Sequence, residues 1–233
     1  LSTEALRGGP ALRLPARTTW GATLSTDARK RKQLSLTATG FVDDGGAGHG
    51  TTLGAALAAR VTDRLLIDLA PSLSYSNEGL QYVQHLDRST TGSGYVVGRL
   101  AQKTASLTAR VDLAISSGVT LQLYAQPLIG SARYDNFGEV MAPRATSMDD
   151  RVQPLTSMDG VADPSFGTRN VLANAVMRWE YRPGSTLFVV FTQQRDALVD
   201  DPAWRFGQAT RQLWRVPASS VLLVKWSYWW APK

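Results

Sequence analysis

The sequence predicts an all-β chain, an antiparallel up-and-down transmembrane β-barrel with about eleven strands, which form part of a larger barrel. Three observations carry that expectation. Apolar residues recur at every second position, the connections alternate between tight and long, and Trp and Tyr gather near the strand ends.

The period of two is clearest in Leu65–Ser76. Leu65, Ile67, Leu69, Pro71, Leu73 and Tyr75 share one face; Asp68, Ser72, Ser74 and Ser76 share the other with Leu66 and Ala70. A half-buried strand needs this pattern, because successive side chains point to opposite faces. Ser106–Ile115 repeats it with Leu107, Ala109, Val111, Leu113 and Ile115. Asn170–Tyr181 repeats it with Val171, Ala173, Ala175, Met177, Trp179 and Tyr181. In order, the expected strands are Arg17–Thr26, Gln33–Phe41, Thr51–Val61, Leu65–Ser76, Gly79–Leu86, Gly94–Leu100, Thr104–Ser116, Thr120–Tyr134, Asn170–Tyr181, Ser185–Arg195 and Ser219–Trp230. Residues 1–16 read as an irregular segment, and 17–233 as the barrel portion. Ala101-Gln102-Lys103 must be a very tight turn or a bulge inside one long strand.

Thr62-Asp63-Arg64, Ser117-Gly118-Val119 and Arg182-Pro183-Gly184 carry turn residues and read as tight turns. Phe41–Gly50, Asp135–Arg169 and Asp196–Ala218 read as long polar loops. Outer-membrane barrels have short periplasmic turns and longer outside loops. If the last strand runs down to the periplasm, every tight turn falls on the periplasmic side.

A soluble β-sandwich also alternates. Many strands here are longer than its usual strand of ~5–6 residues and match the ~9–11 that cross a bilayer at a tilt. The polar faces carry Asp68, Arg110, Asp112, Arg178, Glu180 and Lys225, which would line a wet lumen. Trp20, Trp179, Tyr181, Trp226, Tyr228 and Trp230 would sit at the membrane–water interface, where amphipathic rings are favoured. The chain has 233 residues, no Cys, 20 Gly and a net charge of +6. Its mean hydropathy is −0.15, as expected where alternating faces cancel. No apolar run approaches a membrane helix. The Arg residues are dispersed rather than clustered, which argues against nucleic acid as a partner.

Little in the chain suggests catalysis. His49 follows Asp43, Asp44 and a run of glycines without the ligand spacing of a calcium loop. His85 and the serines Ser72 and Ser74 suggest a surface hydrolase only weakly, since both serines belong to the polar face. Asp149, Asp150, Asp159 and Asp163 fall in a long loop, as do Asp200, Asp201, Arg205, Arg211 and Arg215 in another; cationic loops of that kind suit leaflet phosphates. No catalytic residue, cofactor or metal is expected.

The C-terminal run Lys225-Trp226-Ser227-Tyr228-Trp229-Trp230 resembles the aromatic-x-aromatic signal read by the outer-membrane insertion machinery, with Ala231-Pro232-Lys233 following it. Arg7–Pro10, Tyr95–Thr104, Ser106–Tyr134, Asn174–Gln194 and Val221–Trp229 resemble an uncharacterised family of bacterial outer-membrane barrels. Longer members of that family carry an N-terminal domain similar to family-9 carbohydrate-binding modules. The resemblance implies residence in the bacterial outer membrane, lipid as a partner, and a pore, transporter or anchor linked to carbohydrate binding or uptake. The alternatives are a structural subunit holding a larger assembly and a soluble β-sandwich binding module. Eleven strands is an odd number, and bacterial single-chain barrels almost always have an even one. Upstream strands or a companion chain are therefore expected beside Arg17–Thr26 and Ser219–Trp230.

Overall fold

Alternation without helical period gives a continuous antiparallel meander in the computed structural model, which describes residues 1–88 and 92–230. The strands are β1 (Arg17–Ser25), β2 (Lys32–Asp43), β3 (Gly48–Thr62), β4 (Leu65–Arg88), β5 (Gly92–Ser116), β6 (Val119–Val140), β7 (Val152–Pro154), β8 (Phe166–Arg182), β9 (Ser185–Val199) and β10 (Ser219–Ser227). Among the described residues they form one 10-stranded sheet in the order β1-β2-β3-β4-β5-β6-β8-β9-β10, with short β7 paired to β6.

The expected count of about eleven is corrected to ten. Leu65–Ser76 and Gly79–Leu86 are one strand, β4, and Gly94–Leu100 and Thr104–Ser116 are one strand, β5, while β7 is an added strand inside a stretch expected as loop. The cause is local. Ala101-Gln102-Lys103 holds no turn residue, and the ladder runs through it and through Asn77 as Tyr75↔Lys103, Ser76↔Gln102 and Asn77↔Ala101. Register shifts at Glu78/Gln81 and Tyr82/Gln84 break the alternation beyond that point, so a bulge imitated a gap. The turn between Leu86 and Gly94 includes residues 89–91, and the tail Ala231-Pro232-Lys233 follows β10; both lie outside the described residues.

Asp63-Arg64, Ser117-Gly118 and Pro183-Gly184 join their strands directly, all at one end of the sheet. Gly184 has φ +74°, a conformation that only glycine adopts without cost. The opposite end carries the longer excursions. Phe41–Gly50 is mostly strand, since β2 and β3 close over Asp44–Ala47. The two other loops are shorter and more ordered than expected. One runs over 141–165 and holds helix α1 (Met148–Arg151) and β7; the other runs over 200–218 and holds helix α2 (Phe206–Arg215). No described helix is long and apolar enough to cross a membrane.

The sheet is not closed into a barrel. β1 pairs with β2 and β10 with β9, and no ladder joins β1 to β10 among the described residues. All nine residues of β1 are exposed. Nine strands in an antiparallel path also leave β1 and β10 running in the same direction.

Buried clusters among the described residues lie only in the loop-bearing half. In one, Leu6 and Leu12 of the N-terminal segment pack on Val97, with Tyr82, Tyr95, Val140 and Val152 around them. A bridge between Ser2 and Leu12 closes that segment on itself. In the other, Ala209 and Leu213 of α2 pack on Ala105, Ile129 and Val171. The half bearing the tight turns has two open faces instead.

A bidentate pair staples the long β5–β6 hairpin above its midpoint. Arg99 Nε donates to Asp135 Oδ1 at 2.6 Å and Nη2 to Oδ2 at 2.8 Å. That hydrogen bond holds the Asp135 carboxyl below the usual carboxylate range. A lowered folded pKa stabilises the fold above the unfolded pKa and is lost as pH falls through the folded one. Asp135→Asn should therefore cost up to about 1 kcal/mol at neutral pH, the pair being partly exposed. The difference from wild type should shrink as pH falls through the lowered folded pKa of Asp135 and vanish once both states are protonated. Urea midpoints of the two proteins at neutral and acid pH check this; a gap that persists in acid would assign the loss to something other than the carboxylate.

Candidate functional site: the two faces of one sheet

Register partners share a face, so the ladder fixes which side chains stand together. One row reads Ala58, Asp68, Arg110, Tyr124, Asn174, Thr192 and Val221. The expected lumen residues Asp68, Arg110, Asp112, Arg178, Glu180 and Lys225 all belong to this polar face. Asp68 is the cross-strand partner of Arg110, whose guanidinium lies 5.8 Å from the Tyr124 ring centroid. Asp112 accepts a hydrogen bond from Gln122 Nε2 at 3.0 Å. Arg178 and Glu180, two apart on one strand, form an ion pair at 2.8 Å. Lys225 stands on the edge strand β10. A cleft of about 610 Å³ opens on this face between Arg110, Asp112, Gln122, Tyr124 and Asn174. At the loop end, Arg17 binds Asp43 at 2.7 Å and covers the Phe41 ring at 3.8 Å.

The other face is apolar. One row reads Ile67, Val111, Leu123, Ala175, Phe191 and Leu222 without a polar interruption. Leu69, Val111 and Met177 all lie on it, with Leu57 and Ala109 flanking Leu69. Its members are open where no loop covers them: Leu24 is 72% exposed, Leu73 55% and Leu222 65%. On β4 this face runs from Leu65 to Tyr75, about one tilted span, before Asn77 ends it.

Four expected interface aromatics stand on this face. Trp179 and Trp226 flank Leu187 in one row near the tight turns, and Tyr181 packs edge-on against Trp179 at 5.9 Å. Trp20 belongs to the opposite end. Its row continues through Gly40, Thr51, Tyr75 and Lys103, and its ring covers Gly40, where a Cβ would also meet the Gly50 carbonyl at 2.6 Å. Tyr228 and Trp230 lie past the last strand, which ends at Ser227 rather than Trp230. Arg182 Nη1 donates to the Tyr228 hydroxyl at 2.8 Å, and the Trp229 N–H donates to Ser185 Oγ at 2.9 Å, so the tail folds back on the turn.

Periodicity alone did not reveal what covers the loop end of the apolar face. Arg169 and Arg195 interrupt the apolar pattern of β8 and β9, and both reach α2. Arg169 Nη2 donates to Gln212 Oε1 at 3.3 Å, and Arg195 Nη1 donates to the carbonyls of Trp214 and Val216 at 2.9 and 2.6 Å. The spacing of Ala209, Leu213 and Val216 by four and three was the helical signal inside a stretch read as loop.

The candidate reactive groups do not converge. His49 stacks on Tyr75 at 5.6 Å and His85 on Tyr95 at 4.8 Å, while Ser74 hydrogen-bonds Thr52 at 3.0 Å. Among the described residues no group of three or more His, Asp or Glu is placed to hold a metal.

No curated protein and no solved structure matches the chain. Residues 4–230 match the family described as Domain of unknown function (DUF5916), and that match runs through every strand of the sheet. The chain therefore belongs to this family of unknown function.

Proposed function

We propose that the chain is part of an up-and-down β-barrel of the bacterial outer membrane, working as a pore or transporter whose wall is this sheet. The observation that carries the reading is the apolar face, whose central row crosses six strands and which on β4 is about one span high, backed by a charged face. An exposed apolar surface of that extent needs a covering, since soluble monomers rarely leave patches beyond a few hundred Å² open. Lipid covers it without a second sheet, and the opposite face then meets water in a lumen. The turn asymmetry fits the same reading. A wide barrel with a charged lining leaves an aqueous path, which favours a pore over an inert anchor. The family resemblance adds a link to carbohydrate binding or uptake through an upstream domain. The reading assigns the chain no catalysis of its own.

The two free edges then need partners. A lipid-facing edge leaves backbone groups unpaired at several kcal/mol each. β1 and β10 run in the same direction, so an all-antiparallel closure requires an odd number of further strands, from the same gene product or a companion chain.

The absence of Cys allows a clean topology test. On intact cells, an impermeant thiol reagent should label Ser157→Cys in the 141–165 connection and spare Asp63→Cys in a tight turn. Labelling of Asp63→Cys alone would invert the orientation, and equal labelling without membrane sedimentation would favour the soluble sandwich. Ion conductance after reconstitution would separate a pore from a structural anchor.

A further inference from the structure

We propose that helix α2 is an interfacial foot, resting on the membrane reading above, that seats the barrel wall on anionic phosphate headgroups of the surrounding leaflet. Three observations place it there. The first is position. Ala209 and Leu213 pack on Ala105, Ile129 and Val171, so the helix lies on the apolar face at its loop end, where hydrocarbon would give way to headgroups. Arg195 binds the last carbonyls of the helix and Arg169 its Gln212, which fixes the helix against the wall.

The second is amphipathicity beyond what packing uses. Phe206 is 56% exposed and Trp214 58%. They are eight residues apart, so they fall within about 80° of each other around the helix. Arg211 and Arg215 lie farther round, away from the buried stripe of Ala209 and Leu213. A helix facing only water gains nothing from an open Phe and Trp. A helix lying in the headgroup layer does, with its rings toward the acyl boundary and its guanidinium groups among phosphates.

The third is charge segregation. Past Asp200 and Asp201, the connection over 202–218 has Arg205, Arg211 and Arg215 and no Asp or Glu. The neighbouring connection over 141–165 carries Asp149, Asp150, Asp159 and Asp163 against Arg144 and Arg151. The stretch that lies against the apolar face is thus cationic from Pro202 onward, while the neighbouring connection is net acidic. Arg pairs with phosphate in a planar, bidentate fashion, which suits this layer better than hydrocarbon or bulk water.

The test uses the full chain with a spin label at Thr210→Cys, between Phe206 and Trp214, and in a second protein at Leu123→Cys in the apolar band. Each is reconstituted in phosphatidylcholine vesicles and in phosphatidylcholine vesicles doped with phosphatidylglycerol. The readout is collision with a neutral, water-soluble nickel chelate. At position 210, accessibility should be about threefold lower in the doped vesicles than in phosphatidylcholine alone. The difference should disappear in Arg211→Gln/Arg215→Gln and in high salt. A label shielded at 123 but open at 210 in both vesicles overturns the foot and leaves the barrel standing. Equal shielding at 210 in both vesicles overturns the role of anionic phosphate. A label open at both positions overturns the membrane reading, and the foot with it.

Discussion

Leu69→Arg is expected to destabilise the membrane-inserted protein by about 2–4 kcal/mol, while Ser72→Arg on the same strand stays within about 0.5 kcal/mol. Leu69 lies midway between the Asp63-Arg64 turn and Tyr75, with Leu57 and Ala109 beside it. A guanidinium there has no carboxylate to meet and too little length to reach either headgroup layer without thinning the bilayer. Ser72 stands on the other face, between Gly54 and Ser106, where an added cation meets a polar surface. Urea titration of both variants in vesicles measures the contrast. Equal midpoints for the two would mean that both faces see the same solvent, which would remove the basis for a lipid-facing wall.

Within the span, faces and turns were legible because one residue type is needed per face, and a slip of one residue would exchange Leu69 with Asp68. The ladder Ile67↔Val111↔Leu123↔Ala175 follows from that constraint. Legibility fails above it for three physical reasons. Bulges at Glu78/Gln81 and Tyr82/Gln84 shift the phase of the pattern, so β4 looked like two strands. Asn77 and Gln102 continue a ladder that has left the apolar band, and a strand in water needs no alternation to keep its hydrogen bonds. Helix α2 buries only Ala209 and Leu213, too small an apolar stripe to stand out from a polar loop. For the site, the polar and apolar sets were readable one strand at a time. Contacts that join distant segments, such as Arg195 to the end of α2 or Arg17 to Asp43, needed the fold.

Thr23→Pro should abolish the heat-modifiable, protease-resistant form of the assembled protein, although the described fold gives its amide nothing to bond. The amides of β1 alternate in direction. Thr26 N–H donates to the Leu34 carbonyl, and Asp44 N–H donates to the Ala16 carbonyl, so the even-numbered residues of β1 turn their backbone toward β2. The amides of Thr19, Gly21 and Thr23 therefore point away, into the open edge. On a genuinely free edge, proline is tolerated at such a position, since it removes a donor that only solvent would use. In a closed barrel the same proline deletes a ladder bond inside the membrane, at a cost of several kcal/mol, and wedges the partner strand away. Leu24→Pro is the reference, because it breaks the β1–β2 ladder whether or not the edge is covered. If both prolines destroy the folded form, a further strand lies against β1. If Leu24→Pro destroys it and Thr23→Pro leaves it intact, β1 is a true edge. A lipid-facing barrel cannot contain one, and closure by additional strands would then be wrong.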